Sequence, residues 1–306
     1  MTVIEKIPVP SFDGDYIHIY KPKGDVYKGK NTFSFETGKF YENWKPNDFS
    51  ITKYDGKWHM IGITEPFPKG FVNGYVYETG AHECEHQLFH CVAEGYSFAD
   101  VFQEDAFKDE PKILYPQDRP GEAPEIWAPH IMELDGEMNV IYSPWAMRRA
   151  STKDFKEWTL HGAMFYCREA GARDPYIFVE DGKYYFIYTA SERLWYKVSD
   201  DMVNWSENKL LQDVGYLKCE KESPFLLKRG DYYYLFWSIW DGRNGSFDQR
   251  TMVFAGKTFE DLRNSAPITM LDAHAPEFVK DDNGDYYMLS VYYPNNGISA
   301  VKLKWE

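Results

Sequence analysis

Cysteine is scarce in this chain: Cys84, Cys91, Cys167 and Cys219 are the four in 306 residues. They are too few and too scattered for a disulfide framework, and a chain of this length buries enough core to need none. They read as free thiols of a reducing compartment. Long apolar runs are also missing. No stretch approaches the roughly 18 residues of a membrane-spanning helix, so no membrane partner is expected. Positive charge is in deficit, with 34 Lys and Arg against 48 Asp and Glu and a net charge of −14. Phosphate backbones and anionic surfaces need clustered Lys and Arg, so no nucleic-acid partner is expected either. The opening MTVIEKIPVP lacks a basic segment followed by an apolar one. A cytoplasmic location is therefore expected, or a periplasmic or secreted one if a signal has been removed. Ser/Gly-rich linkers and low-complexity stretches are absent, which favours a single domain over residues 1–306.

What the chain does contain is one phrase written five times. The copies are NDFSITKYDGKWHMIG (47–62), WAPHIMELDGEMNVIY (127–142), RDPYIFVEDGKYYFIY (173–188), ESPFLLKRGDYYYLFW (222–237) and APEFVKDDNGDYYMLS (275–290). Each is a short apolar run, a Gly-containing turn and an aromatic-rich run. DG or NG between two such runs is a strong hairpin signal. The turn glycines Gly56, Gly136, Gly182, Gly230 and Gly284 are 80, 46, 48 and 54 residues apart. A period of about 40–50 residues, with four short strands in each unit, predicts a propeller. The expected fold is all-β: five four-stranded antiparallel blades around a central channel. The first interval is too long by roughly 30 residues on that period, and the excess, between Thr64 and Glu125, predicts an elaborated connection. Few helices are expected, with a turn or two near 94–107. A second phrase, TKDFKEW (152–158) and SDDMVNW (199–205), predicts an outer blade segment whose Trp158 and Trp205 pack between neighbours.

Eight residues before the turn glycines stand Asp48, Ala128, Asp174, Glu222 and Pro276. Equivalent positions of a repeat become equivalent points in space, so three acids from three blades are expected to converge at one channel mouth. The plainer reading has each acid capping a turn or pairing with a surface lysine. Two carboxylates flanking a glycosidic bond are the minimal equipment for its hydrolysis, one donating a proton and the other activating water or attacking the sugar. Environment separates their pKa values, and a third acid nearby supports that separation.

These motifs resemble the five-bladed β-propeller glycoside hydrolases, the group of families 43, 62, 32, 68 and 117, over about residues 43–305. NDFSI is similar to the blade-one motif that carries the base, or the nucleophile in the family 32 type. WAPHI is similar to the blade-two signature. ARDPYIF is similar to the motif whose Asp modulates the acid, and ESPFLLKR to the one that carries the general acid. The details DGKWHMIGIT, EHQLFHC, IWAPHI, ESPF and HAPE are most similar to family 117, and the motifs as a set also to family 43. Some family 117 members are thought to use a histidine shortly before ESPF as the acid. This chain has none between His161 and His274, which leaves Glu222, with Glu220 as a rival on the same face of the strand.

The resemblance implies an inverting hydrolase acting on the ends of short oligosaccharides, of anhydro-galactosidase, arabinosidase or xylosidase type. Asp48 is then the base, Asp174 the modulator and Glu222 the acid, and no cofactor is required. It also places His86 and His90 near the sugar cleft. Trp127 and His130 are expected at the channel mouth, Trp127 as a sugar platform or a plug. Arg173 pairs with a carboxylate, a sugar hydroxyl or a neighbouring blade. His274 is the candidate to hold, through water, a structural cation in the channel. The run His82, Cys84, His86, His90, Cys91 invites a zinc reading, but its spacing fits none of the usual closed sites. Two alternatives stay open: a retaining fructosidase-type hydrolase with Asp48 as nucleophile, and a non-catalytic glycan-binding propeller.

Overall fold

The computed structural model describes residues 6–67, 84–213, 215, 219–240, 250–291 and 297–306. Near the N-terminus come β1 (Pro10–Phe12), β2 (Ile17–Tyr20) and a small two-stranded sheet of β3 (Asp25–Val26) and β4 (Phe40–Tyr41). Blade one is β5 (Trp44–Tyr54), β6 (Lys57–Pro66), β7 (Gln87–Glu94) and β8 (Lys108–Ile113). Blade two is β9 (Trp127–Leu134), β10 (Glu137–Ser143), β11 (Ala146–Thr152) and β12 (Thr159–Tyr166). Blade three is β13 (Arg173–Glu180), β14 (Lys183–Ala190), β15 (Arg193–Ser199) and β16 (Lys209–Gln212). Blade four is β17 (Glu220–Arg229), β18 (Tyr232–Trp240), β19 (Thr251–Gly256) and β20 (Thr269–Leu271). Blade five is β21 (His274–Lys280), β22 (Tyr286–Val291) and β23 (Ile298–Trp305), whose outer edge is taken by β1 and β2 from the other end of the chain. The fold is the five-bladed propeller that the repeats predict.

Each repeated phrase is the inner hairpin of a blade. Asp55-Gly56, Asp135-Gly136 and Asp181-Gly182 all have positive φ (47 and 73, 54 and 76, 49 and 72), the type I′ geometry that matches strand twist. The aspartate and the glycine of such a turn tolerate that region, which most residues avoid. The apolar side chains of each blade then pack against the next blade. Phe49, Met60 and Phe89 of blade one meet Ala275, Tyr287 and Leu289 of blade five, while Ile141 and Met147 of blade two meet Ile177 and Phe186 of blade three. The core is thus spread over the seams between blades.

β7 and β8 lie inside residues 64–125, so the excess of the first repeat is divided among the connections 67–86, 95–107 and 114–126. Among the described residues α-helix is confined to α1 (Phe98–Val101) and α2 (Phe259–Asn264), each opened by a capping box, Ser97 with Asp100 and Thr258 with Asp261, and a single 3-10 turn spans Pro116–Asp118. In the second phrase, Asp154 and Asp201 accept bonds from the backbone of their own turns. Trp205 packs between Phe165 of blade two and Phe186 of blade three, as expected of a seam residue.

Candidate active site

Four blades break their innermost strand in the same way. Ala128, Asp174, Ser223 and Ala275 have φ of 38, 57, 50 and 47, and each precedes a proline. The left-handed residue interrupts the ladder, visible as register shifts between Arg173 and Tyr176, Glu222 and Phe225, and His274 and Glu277. Asp48, followed by Phe49, takes that place in blade one, and the five pairs wall a narrow space of about 20 Å³, room for about one water. One residue earlier stand Asn47, Trp127, Arg173, Glu222 and His274. These five, with Asp48, Ile63, Glu85, Gly171 and Asp174, line a pocket of about 330 Å³ at the channel mouth.

The expected register of Glu222 is therefore corrected. Asp48 and Asp174 are equivalent positions, but their counterpart in blade four is Ser223. Counting from the glycine misplaces it because this hairpin turns on Gly230-Asp231, glycine first, with Arg229 paired to Tyr232. The three acids still reach one pocket: Asp48 and Asp174 from the inner ring, Glu222 from the ring above. Ser223 joins the two inner acids. Its Oγ donates to Asp48 Oδ1, and its backbone N donates to Asp174 Oδ2 at 3.0 Å. The repeated X-Pro step, with SP in line with DP and AP, was the sequence signal for it.

Electrostatics set the acids apart. Asp174 is 5% exposed, and burial pushes its carboxyl well above the usual range; Arg173 opposes this, while Asp48 and Glu222 add to it. Arg173 lies across the seam between blades three and four, within 3.0 Å of Glu222, 3.3 Å of Glu220 and 3.6 Å of Asp174. Burial disfavours its charge, but Glu222, Asp174 and Glu220 outweigh burial and hold the guanidinium protonated. Glu220 reaches Arg173 from the same face as Glu222 but does not line the pocket.

Beneath Asp48 lies a fourth carboxyl that the sequence reading passed over. Glu277 Oε2 accepts from Ser50 Oγ at 3.1 Å and from Ile51 N at 3.3 Å, both on β5. Burial pushes its pKa up to about 8, and the Asp48 charge adds to the rise. Glu85, on the pocket wall, was also missed, since it comes from the connection 67–86 and belongs to no repeat.

The histidines are more dispersed than expected. His86 is buried, 2.8 Å from the Tyr27 hydroxyl, and does not line the pocket. His90 faces the outside of the seam between blades one and two. There it lies 3.0 Å from His59 and stacks with Phe155, in a cleft of about 560 Å³. It sits on the third strand of its blade, which no channel residue shares. His130 lies below the inner ring of Ala128, edge-on to Tyr176 at 5.0 Å, and burial pulls its pKa down to about 3. Trp127 and His274 do line the mouth. Among the described residues no three His, Cys, Asp or Glu side chains come together as a metal-binding group, and the ring of His274 already contains the Arg173 cation. The run of candidate zinc ligands is dispersed too: Cys84 donates to Glu65, Cys91 is in the core, and His82 lies outside the described residues. All four cysteines are free, and no described helix is long and apolar enough to cross a membrane.

No family model and no curated protein matches the sequence. Solved structures do match. An exo-1,5-α-L-arabinanase from a bovine ruminal metagenomic library superimposes with a TM-score of 0.60 at 17% identity, over 85% of this chain and 93% of that one. A family 43 β-xylosidase/α-arabinofuranosidase from a compost microbial metagenome gives 0.60 at 14%, over 85% and 91%. The catalytic domain of a family 62 α-L-arabinofuranosidase from Coprinopsis cinerea gives 0.58 at 10%, over 96% and 98%. The chain has the fold of the five-bladed β-propeller glycoside hydrolases.

Proposed function

We propose that the protein is a glycoside hydrolase that removes a terminal sugar from short oligosaccharides with inversion. The observation that carries this reading is the convergence of Asp48, Asp174 and Glu222, from three blades, on one pocket whose floor narrows almost to closure. Asp48 is the general base that activates water. Asp174, buried and held by Ser223 N, is the modulator of the acid. Glu222 donates the proton to the leaving oxygen. Arg173 Nη2 donates to Glu222 Oε1 at 3.0 Å. Proton transfer from Glu222 to the leaving oxygen requires an arriving sugar to draw Arg173 toward Glu220 and Asp174, which lie 3.3 and 3.6 Å from it. The activities named for the structural relatives support a pentose-containing polysaccharide as the source of substrate; an anhydro-galactoside is the other substrate class the motifs suggest.

One observation favours a second reading. The Arg173–Glu222 pair, left in place, suits a non-catalytic glycan-binding propeller. A panel of arabinan-, xylan- and agar-derived oligosaccharides, with the product anomer read by NMR, tests both. An inverted anomer is expected. A retained anomer supports the fructosidase-type alternative, and binding without cleavage supports the glycan-binding one.

A further inference from the structure

Large aromatic side chains in this protein are mostly buried in the seams, and Trp145 departs from that pattern. It is 53% exposed, and its backbone is left-handed, with φ of 60. A bulky residue in that region is uncommon and is a reason to look for a role. The loop that holds it is pinned from both sides. Trp145 N donates to Ala172 O at 3.2 Å, and Trp145 O accepts from Cys167 N at 3.4 Å. Ala172 adjoins both Gly171 and Arg173 on the pocket wall, so the indole is fixed at the rim between blades two and three. Its ring centroid lies 5.7 Å from that of Trp127, which lines the pocket, at an interplanar angle of 51°. Tyr166, opposite Ala146 in the adjoining strand, is 78% exposed.

We infer that Trp127 and Trp145 form a continuous platform for the sugar on the leaving-group side, so that the protein reads at least one residue beyond the one it releases. The direction follows from the pocket's shape. Its floor narrows to about 20 Å³, so a chain end enters and the rest of the chain must pass over the rim. The apolar C–H face of a sugar ring has little to gain from charged walls and much to gain from an exposed indole.

This inference rests on the hydrolase reading above. Its test compares kcat/KM on oligosaccharides of two to four sugars with that on an aryl monoglycoside of the same terminal sugar. In the wild-type protein the oligosaccharides are expected to be favoured. Trp145→Asn keeps a residue that tolerates the left-handed backbone, and should cut that advantage about tenfold, chiefly through KM. Trp145→Phe keeps an aromatic face and should retain most of it. An undiminished advantage in Trp145→Asn overturns the inference. So does an equal loss in both variants accompanied by a lower Tm, which assigns Trp145 to holding the loop. A wild-type protein that cleaves none of the series overturns the hydrolase reading and this inference together.

Discussion

At the scale of single residues, the site turns on which carboxyl holds a proton. Glu222→Gln keeps the shape but removes the proton, and general acid catalysis typically contributes on the order of 10²–10⁴-fold. We expect kcat to fall by about that much on a natural sugar leaving group, and by less on an activated aryl glycoside. Asp48→Asn should slow both substrates alike, because activating water does not depend on the leaving group. Parallel kcat measurements on the two substrates decide this, with Glu220→Gln as the comparison. A dead Glu220→Gln beside an active Glu222→Gln moves the acid to Glu220. Ser223→Ala tests positioning. It removes the hydroxyl that bonds Asp48 but leaves the backbone N on Asp174. A hydrogen bond to a charged group is worth roughly 1.5–3 kcal/mol, so kcat should drop about 10- to 100-fold with Tm little changed. An unchanged kcat would remove Ser223 from the machinery.

At the scale of strands and turns, legibility followed local geometry. The hairpins of blades one to three were readable because a type I′ turn demands residues that accept positive φ, and DG announces them. Blade four turns on Gly230-Asp231, and blade five needs Asp281 to Asp285, where Asp281 N bonds Asp285 O at 2.8 Å. The same glycine therefore marks different points of the turn, and Ser223 escaped a count made from it; Glu277 stands two residues past Ala275, the blade-five counterpart of Asp48, and lay off the count altogether. His90 escaped because strand alternation gives a face but not which strand of a blade lies inward. The β1 and β2 clasp had no signal, since PSF and IHIY have no hairpin partner in sequence. Glu277 makes a prediction at this scale. The folded protein keeps its proton to about pH 8, whereas an unfolded chain releases it near the ordinary value of 4.5. Between those values the folded state binds more protons, so this carboxyl lowers stability progressively as pH rises through the window, with no further loss above about 8. Glu277→Gln cannot titrate but retains an acceptor for Ser50 and Ile51. The Tm difference, variant minus wild type, should therefore grow between pH 5 and 8, which a calorimetric pH series measures. A difference that stays constant with pH would refute the assignment.

At the scale of the molecule, the ring is held shut without a covalent link. Pro10 to Phe12 pair with Leu303 to Trp305, and Ile17 to Tyr20 pair with Ile298 to Ala300. Ile19 and Tyr20, 0% and 1% exposed, pack into the seam between blades five and one. Deleting residues 1–20 removes these pairings and bares apolar surface, and should lower Tm by on the order of 10 °C or prevent folding. A thermal melt of the truncated chain showing native Tm would contradict the clasp. Closure also has a temporal side. During synthesis β1 and β2 emerge long before β23, and contacts this remote in sequence form late in folding. Glu277 crosses the same seam to Ser50 and Ile51 beside Asp48, so the pocket floor is finished only when the last blade docks on the first. In a refolding experiment, recovered activity would then report ring closure itself and lag behind the strand signal of the individual blades.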